Sequence, residues 1–346
     1  MSPKDNMLAC IRQEPHERIP NFVFDITFGC SVAGIPVCDV FSNGYDAEKA
    51  AECITATHRL LKNDSCTASL RNMDVRIFGA EIRLSPDSPP ITVRPAFKDP
   101  LALYDHSPSE ADCEILRDMT HGYEIIRKKN PDLSLGGFIP SPFSVASNLR
   151  GLEPWLMDIM LEPDYTNDLL NFTKEVSSIF AGTILQRGEP DFALMTGAFD
   201  NPDLIGIETM GVLCIPGIIS QSKIAKDNGL NLVYHPHCSF TEECNRGALD
   251  LYLKADVDCI YYGENNDHKI LRHLAEDRCS LMGGIDTSSS IYLGPTERAI
   301  GDAKRVVDEM RGSHYIFTFS CSIDYGLDKE RVAATMNWVS KNGSIG

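Results

Sequence analysis

The chain has 346 residues, 43% of them hydrophobic, and a formal net charge of −17. That size supports a large buried core, and the acidic balance excludes binding to nucleic acid, whose phosphates need a basic surface, or to anionic membrane surfaces. The opening Met1-Ser2-Pro3-Lys4-Asp5-Asn6 holds no apolar signal segment and no run of about 18 apolar residues follows, so a soluble cytoplasmic protein is expected.

In chain order, Asn21–Ile26 reads as a strand closing on Asp25, and residues 45–62 read as a helix. The stretch 64–105 carries Pro86, Pro89, Pro90, Pro95 and Pro100 and reads as an irregular insertion holding one short hairpin. Helices are expected at 109–129, 151–160 and 163–187, the last opening on Pro163-Asp164, with a strand at Leu133–Ile139. Thereafter strands at Asp191–Thr196, Leu230–His235, Val257–Tyr262, Ser280–Ile285 and Tyr315–Ser320 alternate with helices at 208–228, 243–254, 267–276, 295–311 and 328–341. Repeated βα units imply a parallel sheet covered by helices. No linker divides the chain, so the expectation is one (β/α)8 TIM-barrel domain over 1–346 with an N-terminal helical and hairpin insertion. A doubly wound open sheet is the runner-up, but no Gly-rich phosphate loop follows an early strand.

In such a barrel the active-site groups sit at the C-terminal ends of the strands. That rule gathers Asp25, Asp200, Asn201, His235, His237, Glu264, Asp286 and Cys321 onto one face. Asp286 and Asp200 are the expected catalytic carboxylates, with Asp25, Asn201 and Glu264 contacting substrate; taken singly, Asp200 and Glu264 read more simply as helix caps.

Tyr234-His235-Pro236-His237-Cys238 is the densest cluster of metal-competent side chains. Imidazole and thiolate suit zinc better than magnesium or calcium. Residues two apart on a strand point the same way, so His235 and His237 can share one ion, with Cys321 from the last strand as third ligand and Cys238 as the alternative to His237. Each His alone also reads as a strand-end residue with local hydrogen bonds. The 12 cysteines form no C-x-x-C pair and are expected to be reduced.

Met282-Gly283-Gly284-Ile285-Asp286-Thr287 followed by Leu293-Gly294-Pro295-Thr296-Glu297 is similar to the "G-G-(I/V)-D-T … L-x-G-(T/P)-x-E" stretch of the uroporphyrinogen decarboxylase superfamily. Ile139-Pro140-Ser141-Pro142-Phe143-Ser144-Val145-Ala146 resembles "G-P-F-(S/T)-x-A", and Glu17-Arg18-Ile19-Pro20 resembles the opening "(D/E)-R-(I/V)-P". Leu152 to Leu156 with Leu161-Glu162-Pro163-Asp164 is similar to "G-x-E-x-x-L-x-D-x-x-x-x-P-E". The resemblance spans nearly the whole chain and implies an (α/β)8 barrel.

The superfamily has two chemistries. The metal-free decarboxylases hold a polycarboxylate substrate with an "R-Q-A-G-R"-like segment; here Asp25-Ile26-Thr27-Phe28-Gly29 stands in its place, and Lys49 is the one Lys or Arg within 19–58. Several buried carboxylates with no Arg would be left unpaired. The other branch comprises zinc-dependent methyltransferases that work with corrinoid proteins through an "H-x-C" and a "G-C". His235-Pro236-His237 matches the first with His for Cys, and Ser320-Cys321 the second. The resemblance implies zinc, methylcobalamin supplied by a partner corrinoid protein, and a small methyl donor or acceptor: a thiol activated for attack on the methyl group, or a methoxy or methylamine compound activated as donor. The low-charge stretch from Thr27 to Val40 reads as a flat face that helps dock that partner or, more plainly, as a packed N-terminal loop. A metal-free decarboxylase using Asp25 or Asp286, and a catalytically silent corrinoid-binding module, are the alternatives. The sequence leaves monomer and homodimer both open.

Overall fold

A computed structural model describes residues 1–71 and 73–345. Ten strands occur among them: β1 (Phe22–Val23), β2 (Ser65–Thr67), β3 (Glu81–Arg83), β4 (Ile91–Arg94), β5 (Ser134–Pro140), β6 (Phe192–Gly197), β7 (Leu232–Pro236), β8 (Cys259–Tyr261), β9 (Ser280–Ile285) and β10 (Tyr315–Phe319). Eight are parallel, in the order β1-β2-β5-β6-β7-β8-β9-β10, and β3 and β4 form a separate antiparallel hairpin. Parallel bridges Asn21 to Phe317 and Asp25 to Ile323 join the first strand to the last and close the sheet. The fold is a TIM barrel, as the alternating pattern predicts.

The pleat sorts each strand into two cores. Phe22, Phe192, Leu194, Val233, Tyr261, Met282 and Ile316 fill the interior, and alternating residues such as Leu232, Tyr234, Ile260 and Leu281 pack under the outer helices. Phe22 stands edge-on to Phe192 and Tyr261, at ring separations of 6.2 and 6.1 Å. The helix Pro3–Ile11, capped by the Ser2 side chain on the Asp5 N–H, inserts Met7, Cys10 and Ile11 into the interior cluster. Its weak amphipathic pattern gives no warning of this.

Two expectations need correction. The stretch 64–105 is not wholly an insertion: Ser65–Thr67 is a barrel strand between β1 and β5. At three residues it is too short to show a period. The expected helix 208–228 is two helices, Ile207–Leu213 and Ile215–Asp227. Pro216 lacks an N–H and its ring opposes the carbonyl four residues back, so an uninterrupted helix is broken there. The stretch from Thr27 to Val40 is packed, the plainer of its two readings. It folds into the short helices Phe28–Ala33 and Val37–Phe41, with Phe28, Cys30, Val37 and Val40 buried.

The Gly283-Gly284 pair has a packing reason. A Cβ on Gly283 would lie 2.5 Å from the Tyr262 ring, and one on Gly284 would run into the Thr318 carbonyl of β10. Both glycines admit a neighbour where no side chain fits.

Candidate metal centre

Val233 faces the barrel interior, so the period of two sends His235 inward at the mouth. His235 Nδ1 donates to the Tyr261 carbonyl at 2.8 Å, which leaves Nε2 as a lone-pair acceptor. That Nε2 is buried and has no partner. The imidazole stacks on Tyr261, centroids 3.9 Å apart and planes 26° from parallel, and the Tyr261 hydroxyl donates to the Phe319 carbonyl at 2.8 Å. Tyr261 therefore fixes tautomer and tilt together, the arrangement expected around a metal-binding His. Burial, aided by His237, pushes the His235 pKa down to about 3, so the ring is neutral, the form a metal requires.

His237 lies beyond the strand end, its ring 4.7 Å from that of His235; burial lowers its pKa, while Glu264 and Asp200 oppose the shift. From the end of β10, Cys321 places Sγ 3.8 Å from His237 Nε2. Its N–H donates to Thr287 Oγ1 at 3.2 Å, which ties the Cys321 loop to the loop after β9. Burial raises the Cys321 thiol. One ligand atom each from His235, His237 and Cys321 lies within 4.8 Å of the other two. Two imidazoles and one sulfur are a donor set zinc accepts, with a fourth position left open. Cys238 is not part of this group. The pleat turns it into the outer core, where it is 2% exposed and burial pushes its thiol up.

The other predicted residues separate. Asp200 is fully buried outside the barrel wall and accepts three hydroxyl hydrogen bonds, from Ser141 (2.5 Å), Ser144 (2.8 Å) and Tyr234 (2.6 Å). A Cβ on Gly197 would collide with both the Tyr234 hydroxyl and Asp200. Asn201 caps the short helix Pro202–Ile205 by accepting the Leu204 N–H at 3.2 Å. Asp25 is fully buried and accepts from the Gly29 N–H (3.0 Å) and the Thr57 hydroxyl (2.5 Å). Burial, with a smaller push from Asp324, raises its pKa to about 7. Asp286 accepts the Ser288 N–H at 2.8 Å and, with Glu264, His268, Arg298 and Arg305, lines a polar cavity of 340 Å³ beside the cluster strands. Glu264 and Asp286 thus reach the mouth, whereas Asp25, Asp200 and Asn201 hold the scaffold. Nothing in the sequence marks Tyr261 or the Ser141–Ser144–Tyr234 trio, since a lone aromatic or serine carries no spacing signal.

Comparisons with known proteins agree with this architecture. A family model described as "Uroporphyrinogen decarboxylase (URO-D)" matches residues 2–342. The chain is 23% identical over 188 residues to "Methylcobamide:CoM methyltransferase MtaA" of Methanosarcina barkeri (strain Fusaro / DSM 804), a match spanning 52% of this chain and 51% of that protein, so about half the length of this curated relative is matched. A solved "methyltransferase from Methanosarcina mazei" superposes with a TM-score of 0.82 at 18% identity, covering 99% of both chains, a likeness of fold.

Proposed function

The chain belongs to the uroporphyrinogen decarboxylase family, and from that premise we propose that it is a zinc-dependent methyltransferase. It moves a methyl group between a corrinoid carried by a partner protein and a small thiol, methoxy or methylamine compound. The observation that carries this reading is the orphaned, buried Nε2 of His235, held by Tyr261 toward His237 and Cys321. A buried polar atom without a partner is unfavourable, and a metal ion removes the deficit. The partial match to the curated methyltransferase supports the reaction class. Bound there, zinc supplies Lewis acidity, which lowers the pKa of a thiol or improves the leaving group of a methylated donor.

The protein's own residues have separable tasks. His235 and His237 offer neutral nitrogens, and Cys321 gives up its proton on metal loading. Tyr261 holds His235 in one tautomer. Glu264 and Asp286, at the mouth, accept hydrogen bonds from a donor or acceptor entering over β8 and β9. The decarboxylase alternative through Asp25 is disfavoured, because that carboxyl is 0% exposed and bonded to Gly29 and Thr57.

The test is incubation of the zinc-loaded protein with methylcobalamin and a panel of thiols, and of free cobalamin under reducing conditions with aryl methyl ethers and methylamines. Demethylation or methylation of the corrinoid is followed by its visible spectrum. Turnover with at least one compound, lost in His235→Ala, is expected. No turnover with any of them despite corrinoid binding overturns the assignment in favour of a binding module.

A further inference from the structure

Arg71 follows β2 and makes one side-chain hydrogen bond to the described residues, Nε donating to the Met73 carbonyl at 2.8 Å. Its Nη1 is buried and has no partner. The neighbouring acid, Asp74, is already committed: it accepts from Arg76 Nε and Nη2 and from the Arg76 N–H. Among the described residues no carboxylate forms an ion pair with Arg71, while Asp74 pairs with Arg76. Burial pulls the Arg71 pKa down, Asp74 offsets this in part, and Arg76 adds to it. Guanidinium nevertheless stays protonated. A half-buried guanidinium whose Nη1 is enclosed without a partner carries an uncompensated desolvation cost.

The side chain borders a 340 Å³ cavity walled also by Met73, Thr92, Pro140, Ser144 and Asn148, with no acidic residue in its lining. Pro140 ends β5, so the cavity lies on the same face as the metal cluster, partly covered by the β3–β4 hairpin. Only β6 separates β5 from β7, so their ends are about 10 Å apart, two inter-strand spacings. A small molecule spans that distance. Ser144 also donates to Asp200, which accepts from Tyr234, so the hydrogen bonds behind the cavity wall run to the residue next to His235.

We propose that this cavity is an oxyanion site in which Arg71 holds the carboxylate or sulfonate of a small substrate whose other end reaches His235, His237 and Cys321. The anion site stands on Arg71 and its cavity; the role of the distal end rests on the methyl-transfer reading. A planar guanidinium presents paired donors that match such oxygens, and the cavity holds nothing that repels them.

The test is calorimetric titration of the whole protein with propionate and propane-1-sulfonate, with neutral propionamide as the control. The wild type is expected to bind at least one of the anions and to discriminate against the amide. Arg71→Met is expected to weaken anion binding about 10- to 100-fold, the worth of a charge-assisted contact, and Arg71→Lys to weaken it less. Because Arg71→Met removes a half-buried charge that has no ion pair among the described residues, its Tm without ligand should equal or exceed that of the wild type. Unchanged anion affinity in Arg71→Met, amide binding as tight as propionate binding, or a Tm far below wild type would each overturn the site. Zinc content and methyl transfer to the neutral thiol 2-mercaptoethanol report separately on the methyltransferase reading, and Arg71→Met should leave zinc content unchanged.

Discussion

Asp25→Asn gives the most quantitative check on the scaffold beneath the mouth. The carboxyl is fully buried, and burial holds its pKa at about 7 against an ordinary 3.8. At about 1.36 kcal/mol per pH unit, ionising it in the folded protein costs roughly 4 kcal/mol more than in the unfolded chain. The folded state therefore binds the proton more tightly, and stability falls as pH rises from about 4 to about 7. Below that window both states are protonated; above it the loss is complete. Asn keeps the shape, still accepts the Gly29 N–H and cannot ionise. Urea denaturation followed by fluorescence of the buried Trp155 should show wild type and variant converging near pH 4. Between pH 4 and 7 the wild type should lose ground at up to about 1.4 kcal/mol per pH unit, then run parallel to the variant. A pH-independent difference, or a wild type that gains on the variant as pH rises, refutes the reasoning.

Other substitutions probe separate parts of the frame. Gly284→Ala drives a methyl into the Thr318 backbone carbonyl, so it should destabilise by about 3 kcal/mol or more, read as a lower urea midpoint. Tyr234→Phe removes one of the three hydroxyl donors to Asp200; a loss of about 1.5–3 kcal/mol in the same assay is expected. Cys238→Ala deletes a buried thiol of the outer core that stands apart from the ligand group. It should lower stability modestly and leave zinc stoichiometry, measured by elemental analysis, unchanged.

Much of the architecture is legible in the sequence because long strands and amphipathic helices carry strong periods. Ser280–Ile285 is observed at the bounds its apolar run predicts, and Pro163–Arg187 opens where Pro163 places it. Ser65–Thr67 escapes notice because three polar or small residues, buried only by their neighbours, have no pattern. The cluster was legible through residue chemistry: the spacing of His235 and His237 follows from the pleat, and Cys321 from the barrel's closure. Its support was not. Tyr261 acts through a backbone carbonyl and a ring face, and Arg71 is informative only because Asp74 is taken by Arg76. Asp200 follows a strand end, where both a catalytic carboxylate and a helix cap are expected, and the structure surrounds it with three hydroxyls that account for its burial. Strand-end position alone does not separate a carboxylate facing the mouth from one stapling the wall.

His235, His237 and Cys321 are proposed to hold one zinc ion. X-ray absorption at the zinc edge, on protein purified without chelator and loaded to one equivalent, tests it most directly. One sulfur scatterer at about 2.3 Å with two imidazole nitrogens at about 2.0–2.1 Å is expected, the sulfur lost in Cys321→Ala and retained in Cys238→Ala. Two sulfur ligands, a sulfur signal that disappears in Cys238→Ala instead, or no retained zinc would contradict it.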